Sequence, residues 1–500
     1  LRPRAAVSAL AGLYSAVALP LAARLDIWVD EAYTLETTGG GLRHALHQAL
    51  FFEAQPPLYF LLLTLWRTLD GSIFFARLFS VLCGVGALLA VAALSRRWLP
   101  ELHPGWLTAL AGLNPFFFYA ALEIRLYALA LLLSALLLLL FQDGYLSAEP
   151  RRAARWGFGI TALAALSTQY YLGFLLVAGA AALLALKRWR PLRDYLLAMA
   201  AVAVCFAPML WIVPRQVSSQ TVAAERMSIV EGVVSLGGRS QEYAWPTEGL
   251  RGGLRTVARL GFAAALAALA LAGRRAVRRR EVAVWTLLAV TALLFLAARV
   301  AVTGPHLMQP RHTAALYLPS LLAAASVVAL IPGRRRTRIL GVWTGGVILL
   351  TAVAMARTYG DLAKQGDWAR VGSFLERNAR PGEPVLVLSA EGAIPLRHYY
   401  GGPLIPLPSA EDFRAYDPRK FELRSEREID AALARMPGSP RSLWLVTYPL
   451  HPDWLGIDYG FGILDRYLAK RYRVERDVLF RGTRVRHFTA IRAPLPVLPS

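Results

Sequence analysis

The stretch IFFARLFSVLCGVGALLAVAALSRR, residues 73–97, decides the class of fold. From Ile73 to Ser95 it carries one charge, at Arg77, and it stops at Arg96 and Arg97. About 20 apolar residues in a helix cross the roughly 30 Å hydrocarbon core of a bilayer, so this segment is long enough to span. Its basic end marks the side on which the helix emerges, because cytoplasmic loops are enriched in Lys and Arg.

Outward from this segment the same signal recurs. Twenty Lys and Arg fall in six short clusters beside or between apolar runs: Arg2 and Arg4; Arg96 and Arg97; Arg151, Arg152 and Arg155; Lys187, Arg188, Arg190 and Arg193; Arg274, Arg275, Arg278, Arg279 and Arg280; Arg334, Arg335, Arg336 and Arg338. With Arg2 and Arg4 inside, residues 5–23 form the first span. It is read as a retained helix rather than a signal peptide ending near Ala23, since the polar motif after it needs an anchor. Residues 73–95 return. Residues 105–141 carry acidic and basic groups only at their centre, Glu123 and Arg125, and read as two helices with an outside turn. The 31 uncharged residues 156–186 lie between basic flanks and read as a tight pair turning outside at 167–171. Further spans follow at 195–214, 254–273 with Arg255 and Arg259 snorkelling outward, 282–302, 314–331 and 339–356. The expectation is a polytopic α-helical membrane protein of about 11 helices, with interfacial helices in its first outside loop.

Composition agrees. Only 18% of the 500 residues are charged, 56% are hydrophobic, and the mean hydropathy is +0.43, which excludes an ordinary soluble protein. The net charge of +22 resides largely in the basic clusters, so it is a topology signal and no nucleic-acid partner is expected. Cys83 and Cys205 lie inside apolar runs and suggest packing rather than a disulfide framework. Residues 358–500 differ, with 21 Lys plus Arg, 17 Asp plus Glu and 14 of the chain's 30 prolines. Strands are expected at 385–389 and 442–447, and amphipathic helices at 367–378 and 426–436. This divides the chain into a transmembrane module, residues 1–357, and a C-terminal extracytoplasmic α/β domain, residues 358–500.

The first outside loop carries the polar chemistry. It opens with Asp26-Ile27-Trp28-Val29-Asp30-Glu31-Ala32-Tyr33, passes through a helix-like 42–52, and reaches Glu53-Ala54-Gln55-Pro56-Pro57-Leu58-Tyr59-Phe60. Adjacent acids beside an apolar wall can have their proton affinities driven apart, so that one serves as base while the other holds a metal or orients a substrate. The Pro-Pro step starts a helix over 58–69 that is too short to cross. Two more polar pieces fall on the same side: Tyr119-Ala120-Ala121-Leu122-Glu123-Ile124-Arg125-Leu126-Tyr127 and His306-Leu307-Met308-Gln309-Pro310-Arg311-His312.

Taken together, Trp-x-Asp-Glu after the first helix, acid-x-Gln-Pro-Pro-Leu-Tyr about 20 residues on, Tyr-x-x-x-Glu-x-Arg-x-Tyr and a late Pro-Arg resemble the polyprenyl-phosphate-sugar-dependent glycosyltransferases of the C superfamily. The resemblance is to the protein O-mannosyltransferase-like and lipid A aminoarabinose transferase-like branches and covers most of residues 1–357. It implies an inverting transfer of a sugar from a polyprenyl-phosphate donor to a lipid, glycan or protein acceptor. Asp30 is then the general base, with Glu31 beside it as a catalytic orienting group. Arg125 and Arg311 are the cations for the leaving phosphate. Glu53, Glu123, Gln55, His306 and His312 are supporting residues or metal ligands. The one cofactor the resemblance admits is a divalent metal ion, and Gln55, where the family usually has His, removes one ligand. The C-terminal domain, from Asp367-Trp368, resembles those of bacterial members.

The implied setting is a multi-pass protein of the plasma (inner) membrane, in contact with membrane lipids, with its site facing outward. The sequence has no Walker-type loop and no Gly-x-Gly-x-x-Gly opening a helix, in keeping with a lipid-carried rather than a nucleotide donor. The competing reading is a transporter or flippase for lipid-linked saccharide, which calls for an inverted repeat and charges near the membrane midplane.

Overall fold

The computed structural model describes residues 2–220, 228–301, 309–414, 417–434, 440–448 and 458–491. The chain divides into two compact units. One comprises Leu1–Arg24, Thr37–Leu50 and Ala54–Gly360; the other comprises Leu25–Glu36, Phe51–Glu53 and Asp361–Ser500. The segment bearing Asp30 and Glu31 therefore belongs with the C-terminal residues.

The first unit is helical. Among the described residues, seven helices are long and apolar enough to cross a membrane: Pro3–Arg24, Ile73–Trp98, Tyr127–Leu146, Trp189–Leu210, Gly252–Ala276, Arg279–Ala298 and Gly333–Tyr359. Helices Pro104–Gly112 and Pro115–Leu122, bent by 61° at their junction, make an eighth if taken as one span. Leu58–Arg67, Tyr170–Ala185 and Thr313–Ala329 are apolar but shorter. Every segment expected to span contains helix, including the pair around 167–171, yet the structure does not establish 11 spans. The expected interfacial helices are present as Leu42–Phe51 and Leu58–Arg67.

Breaks between helices follow local chemistry. A residue before proline is driven out of the α region, and Asn114, at ψ 139°, ends one helix and caps the next by accepting the Phe116 N–H at 2.9 Å. Its amide also donates to the Tyr243 carbonyl at 3.0 Å. Buried side chains satisfy backbone carbonyls across helices: Tyr317 Oη to Ala111 at 2.7 Å, Trp98 Nε1 to Leu138 at 3.1 Å and Tyr195 Oη to Leu176 at 2.6 Å. Arg255 and Arg259 do not simply snorkel outward as expected. Both guanidinium groups are held by the buried Glu242 carboxylate, at 3.0 Å for Arg255. Charged side chains on membrane-spanning helices commonly pair with one another, and these two arginines share one carboxylate.

Among the described residues, the second unit contains a five-stranded sheet of order β2-β1-β3-β5-β4, with β1 Val385–Leu388, β2 Leu404–Pro406, β3 Ser442–Thr447, β4 Tyr472–Phe480 and β5 Thr483–Ala490. β1 is parallel to β2 and β3, while β5 runs antiparallel to β3 and β4. Strand β1, Val-Leu-Val-Leu, is fully buried, as a central parallel strand requires. Leu386, Leu388, Leu443, Leu445, Leu464 and Phe488 form its core with helices Glu426–Leu433 and Phe461–Arg471. β1, β3 and the helices Trp368–Asn378 and Glu426–Leu433 occupy the expected positions.

Helix Trp368–Asn378 lies close to the turn after residue 396 because Gly372 has no side chain: a Cβ there would sit 2.5 Å from the Tyr399 carbonyl oxygen. Gly372→Ala is expected to destabilise this unit by about 1–3 kcal/mol through forced displacement of backbone. Thermal unfolding of the purified full chain, wild type against variant, checks it; unchanged unfolding would mean the contact is soft.

Candidate active site

Residues 25–28 are non-helical and lead into helix Val29–Thr37, whose first turn holds Asp30 and Glu31. Unsatisfied N–H groups and the helix dipole favour anions there. Glu31 is fully buried. Its Oε2 accepts the Trp28 N–H at 3.3 Å, half of a capping box, and its Oε1 lies 2.8 Å from Nζ of Lys364, itself buried. Asp26 is buried as well. Its Oδ1 accepts the Lys364 N–H at 2.7 Å and its Oδ2 the Trp368 N–H at 2.8 Å. Trp368 opens helix Trp368–Asn378. The residue before it, Asp367, stands at φ 50° and makes no capping bond, turning its carboxylate to Arg370 instead, so Asp26 supplies the cap from 342 residues earlier.

Asp30 is half-buried on the same turn. Tyr33 donates from Oη to Oε2 of Glu391 at 3.3 Å, and its ring meets Phe52 edge-on at 5.0 Å, with Phe413 5.3 Å from Phe52. Glu53 is buried next to Phe52 in sequence. Asp30, Glu31 and Glu53, expected to act together, thus fall in one compact unit.

The other expected residues lie in the first unit. Glu123 and Arg125, both buried, occupy the break between helices Pro115–Leu122 and Tyr127–Phe141, flanked by the stacked rings of Tyr119 and Tyr127 at 5.7 Å. Ser80 donates to the Glu123 carbonyl at 2.8 Å, which fixes that break on helix Ile73–Trp98. The turn at 167–169 gathers two further motifs. Leu58, after Gln55-Pro56-Pro57, donates its N–H to the Ser167 carbonyl at 2.9 Å, and Gln169 Nε2 donates to the Arg311 carbonyl at 2.9 Å. His312 meets the Tyr171 ring edge-on at 5.9 Å. His306 lies outside the described residues.

Sequence reasoning missed four residues. Asp26 lies within the motif, but nothing in its local sequence sets it apart. Lys364 could have been noticed as one of only four lysines in a chain with 55 basic residues. Glu391 follows β1, but no local pattern ties it to Tyr33. Arg77, the lone charge in the deciding span, is fully buried and donates to the Ala22 carbonyl at 3.1 Å, in the last turn of the first helix. A buried intramembrane cation is a functional signal by default. Among the described residues no group of three or more His, Cys, Asp and Glu is arranged to hold a metal, and the ammonium of Lys364 already occupies one Glu31 oxygen.

No protein-family model matches this chain, and no curated protein matches it in sequence. Solved structures do. The chain is similar to ArnT from Cupriavidus metallidurans at 14% identity and a TM-score of 0.55, over 95% of this chain and 97% of that one. It is also similar to the arabinofuranosyltransferase AftD from Mycobacteria (14% identity, TM-score 0.42, 96% of this chain and 40% of that one). A third is an Archaeoglobus fulgidus oligosaccharyltransferase tethered to an acceptor peptide (12% identity, TM-score 0.48, 98% and 75%). The ArnT likeness over nearly the whole of both chains shows the fold, the one that the resemblance read from the motifs implies.

The electrostatics of the second unit separate its carboxyl groups. Burial pushes Asp26 up to about 6, against the N–H and the charge of Lys364. Burial, followed by the nearby Asp30 carboxylate, pushes Glu391 up to about 8, while the Tyr33 hydroxyl opposes the shift. A carboxyl that binds its proton more tightly folded than unfolded stabilises the fold fully below its ordinary value of 4.5, and that contribution is lost as pH rises toward about 8. Glu391→Gln, which keeps a neutral side chain of the same shape, should therefore flatten the dependence of unfolding temperature on pH between about 5 and 8. An unchanged slope in a pH series of thermal melts would place the proton elsewhere.

Proposed function

We propose that this chain is a membrane glycosyltransferase that moves a sugar, with inversion, from a polyprenyl-phosphate donor to a lipid, glycan or protein acceptor on the extracytoplasmic face of the plasma (inner) membrane. The observation that carries the reading is the division of labour within the Asp30–Glu31 pair. Glu31 is buried and neutralised by Lys364, while Asp30, on the same turn, is only half-buried. One acid is committed to holding the turn, and the other keeps part of its surface exposed, where an acceptor hydroxyl can reach it. The fold shared with ArnT supports the same reading, and ArnT has also been solved bound to undecaprenyl phosphate.

In this mechanism Asp30 takes the proton of the acceptor hydroxyl as its oxygen bonds to the anomeric carbon. The bond from that carbon to the phosphate oxygen breaks on the opposite face, and the electron pair leaves with the polyprenyl phosphate. Glu31 and Glu53 orient the acid-bearing segment. Arg125 and Arg311 are assigned to the charge that develops on the leaving phosphate, where a cation shielded from water is worth far more than in bulk solvent. Glu123, Gln55 and His312 support them.

Asp30→Asn is expected to lower release of free polyprenyl phosphate by about 10²- to 10⁴-fold in a mass-spectrometric assay with a panel of polyprenyl-phosphate sugars and membrane-lipid acceptors, with the protein still monodisperse. Near-normal turnover removes Asp30 from the base role. Arg125→Ala should raise the donor KM by about tenfold or more, the loss of one charge-assisted contact. A change confined to folding yield would make Arg125 structural.

A further inference from the structure

Lys364 is joined to the acid-bearing segment twice. Its backbone N–H donates to Asp26 at 2.7 Å and its ammonium meets Glu31 at 2.8 Å, so a single residue grips both ends of the six-residue stretch 26–31 within which Asp30 lies. Ile27 between them donates to the Tyr399 hydroxyl at 2.9 Å, and Asp26 reaches on to the Trp368 N–H at 2.8 Å. Side-chain exposure is 4% for Lys364 and 0% for Glu31, so water cannot substitute for either partner. Removing one member of such a pair takes the directly bonded opposite charge from the other, buried one.

We propose that Lys364 is a positioning residue for sugar transfer: from the C-terminal segment it fixes the turn that presents Asp30, through an ion pair with Glu31 and a backbone bond to Asp26. The proposal rests on the transferase reading above and extends it to the residues beyond 360, which become a structural part of the transfer site. A general base must be held in a narrow range of positions, because small misplacements cost large factors in rate. Asp30 itself comes from a two-turn helix joined to the rest of the chain by a non-helical link, so its placement depends on what holds that link. The compact ammonium of lysine suits a slot that also demands the residue's own N–H; the larger planar guanidinium of arginine, the common basic residue of this chain, has a different shape. Among the charges that act on Asp26 are those of Glu31, Lys364 and Arg370, and Asp30 acts in turn on Glu391 and Tyr448.

The test uses the full chain in detergent, with turnover read as polyprenyl phosphate released. Lys364→Met is expected to lower kcat by about tenfold or more while donor KM changes by less than about threefold. The acidic limb of its kcat profile should also move to higher pH, since a cation that favours ionised carboxylates has gone. Lys364→Arg keeps the charge, so its acidic limb should stay at the wild-type pH even where kcat falls. The double variant Glu31→Gln with Lys364→Met should be no slower than the slower single variant, because the two act through one contact. A Lys364→Met protein with wild-type kcat and pH profile overturns the proposal, as do losses that multiply in the double variant. If Lys364→Met does not fold, the limb position in Lys364→Arg decides: a limb displaced as far as that of Glu31→Gln overturns it. Absence of turnover in the wild type with every donor is a different failure, since it removes the transferase reading and the positioning role with it, whereas wild-type turnover unaffected by Lys364 variants removes only the latter.

Discussion

An ammonium and a carboxylate can both be removed from water only if each is the other's solvent, and in this molecule Lys364 and Glu31 meet that condition at 2.8 Å. Much of the second unit's arrangement is built around keeping them so. Glu31 is aimed by the Trp28 N–H, Lys364 is anchored through its own N–H to Asp26, and Asp26 is in turn occupied by the first N–H of helix Trp368–Asn378. The sheet then continues from that helix through a fully buried β1 to the 3₁₀ turn that carries Glu391, which Tyr33 meets from helix Val29–Thr37. A polar network of this kind is costly when incomplete and specific when complete.

In the first unit a different constraint operates. Apolar surface alone does not fix one helix against another, and interhelical placement rests on side chains that reach carbonyls freed at helix ends and breaks. Ser80 to Glu123, Tyr317 to Ala111, Asn114 to Tyr243 and Gln169 to Arg311 are bonds of this type. All four carbonyls lie at or next to a helix end, and two of them, those of Glu123 and Arg311, belong to the polar motifs. Irregular backbone with polar satisfaction is tolerated at such positions and offers chemistry that an unbroken helix cannot.

How far the sequence could be read follows from the range of the interactions. Apolar runs flanked by arginines are local signals, and they located every helical segment expected to span. Strand β1 and helix Trp368–Asn378 were legible for the same reason, as a short run of Val and Leu and as an amphipathic period. The charges at Glu123 and Arg125 divide 105–141 in the sequence, whereas the chain breaks both there and at Asn114-Pro115, which no charge marks. Strand β4 was hidden because only Tyr472 is buried along it, so no alternation survives. The adjacent acids Asp30 and Glu31 could be singled out, but the partner that distinguishes them could not. Lys364 lies 333 positions beyond Glu31, and no periodicity reports a contact at that separation.

That separation has a consequence for biosynthesis. Asp26 and the Lys364 N–H it receives are 338 residues apart. At about 5–20 residues per second, the ribosome needs roughly 17–70 seconds to make the second partner after the first. Throughout that interval the helices of the first unit are being made while Asp26 and Glu31 wait without the group that neutralises them. The segment bearing Asp30 reaches its final geometry only when the C-terminal residues have emerged and folded. A chain that stops before Lys364 lacks the clasp altogether, so maturation of the segment bearing Asp30 waits on a residue made 338 positions after Asp26.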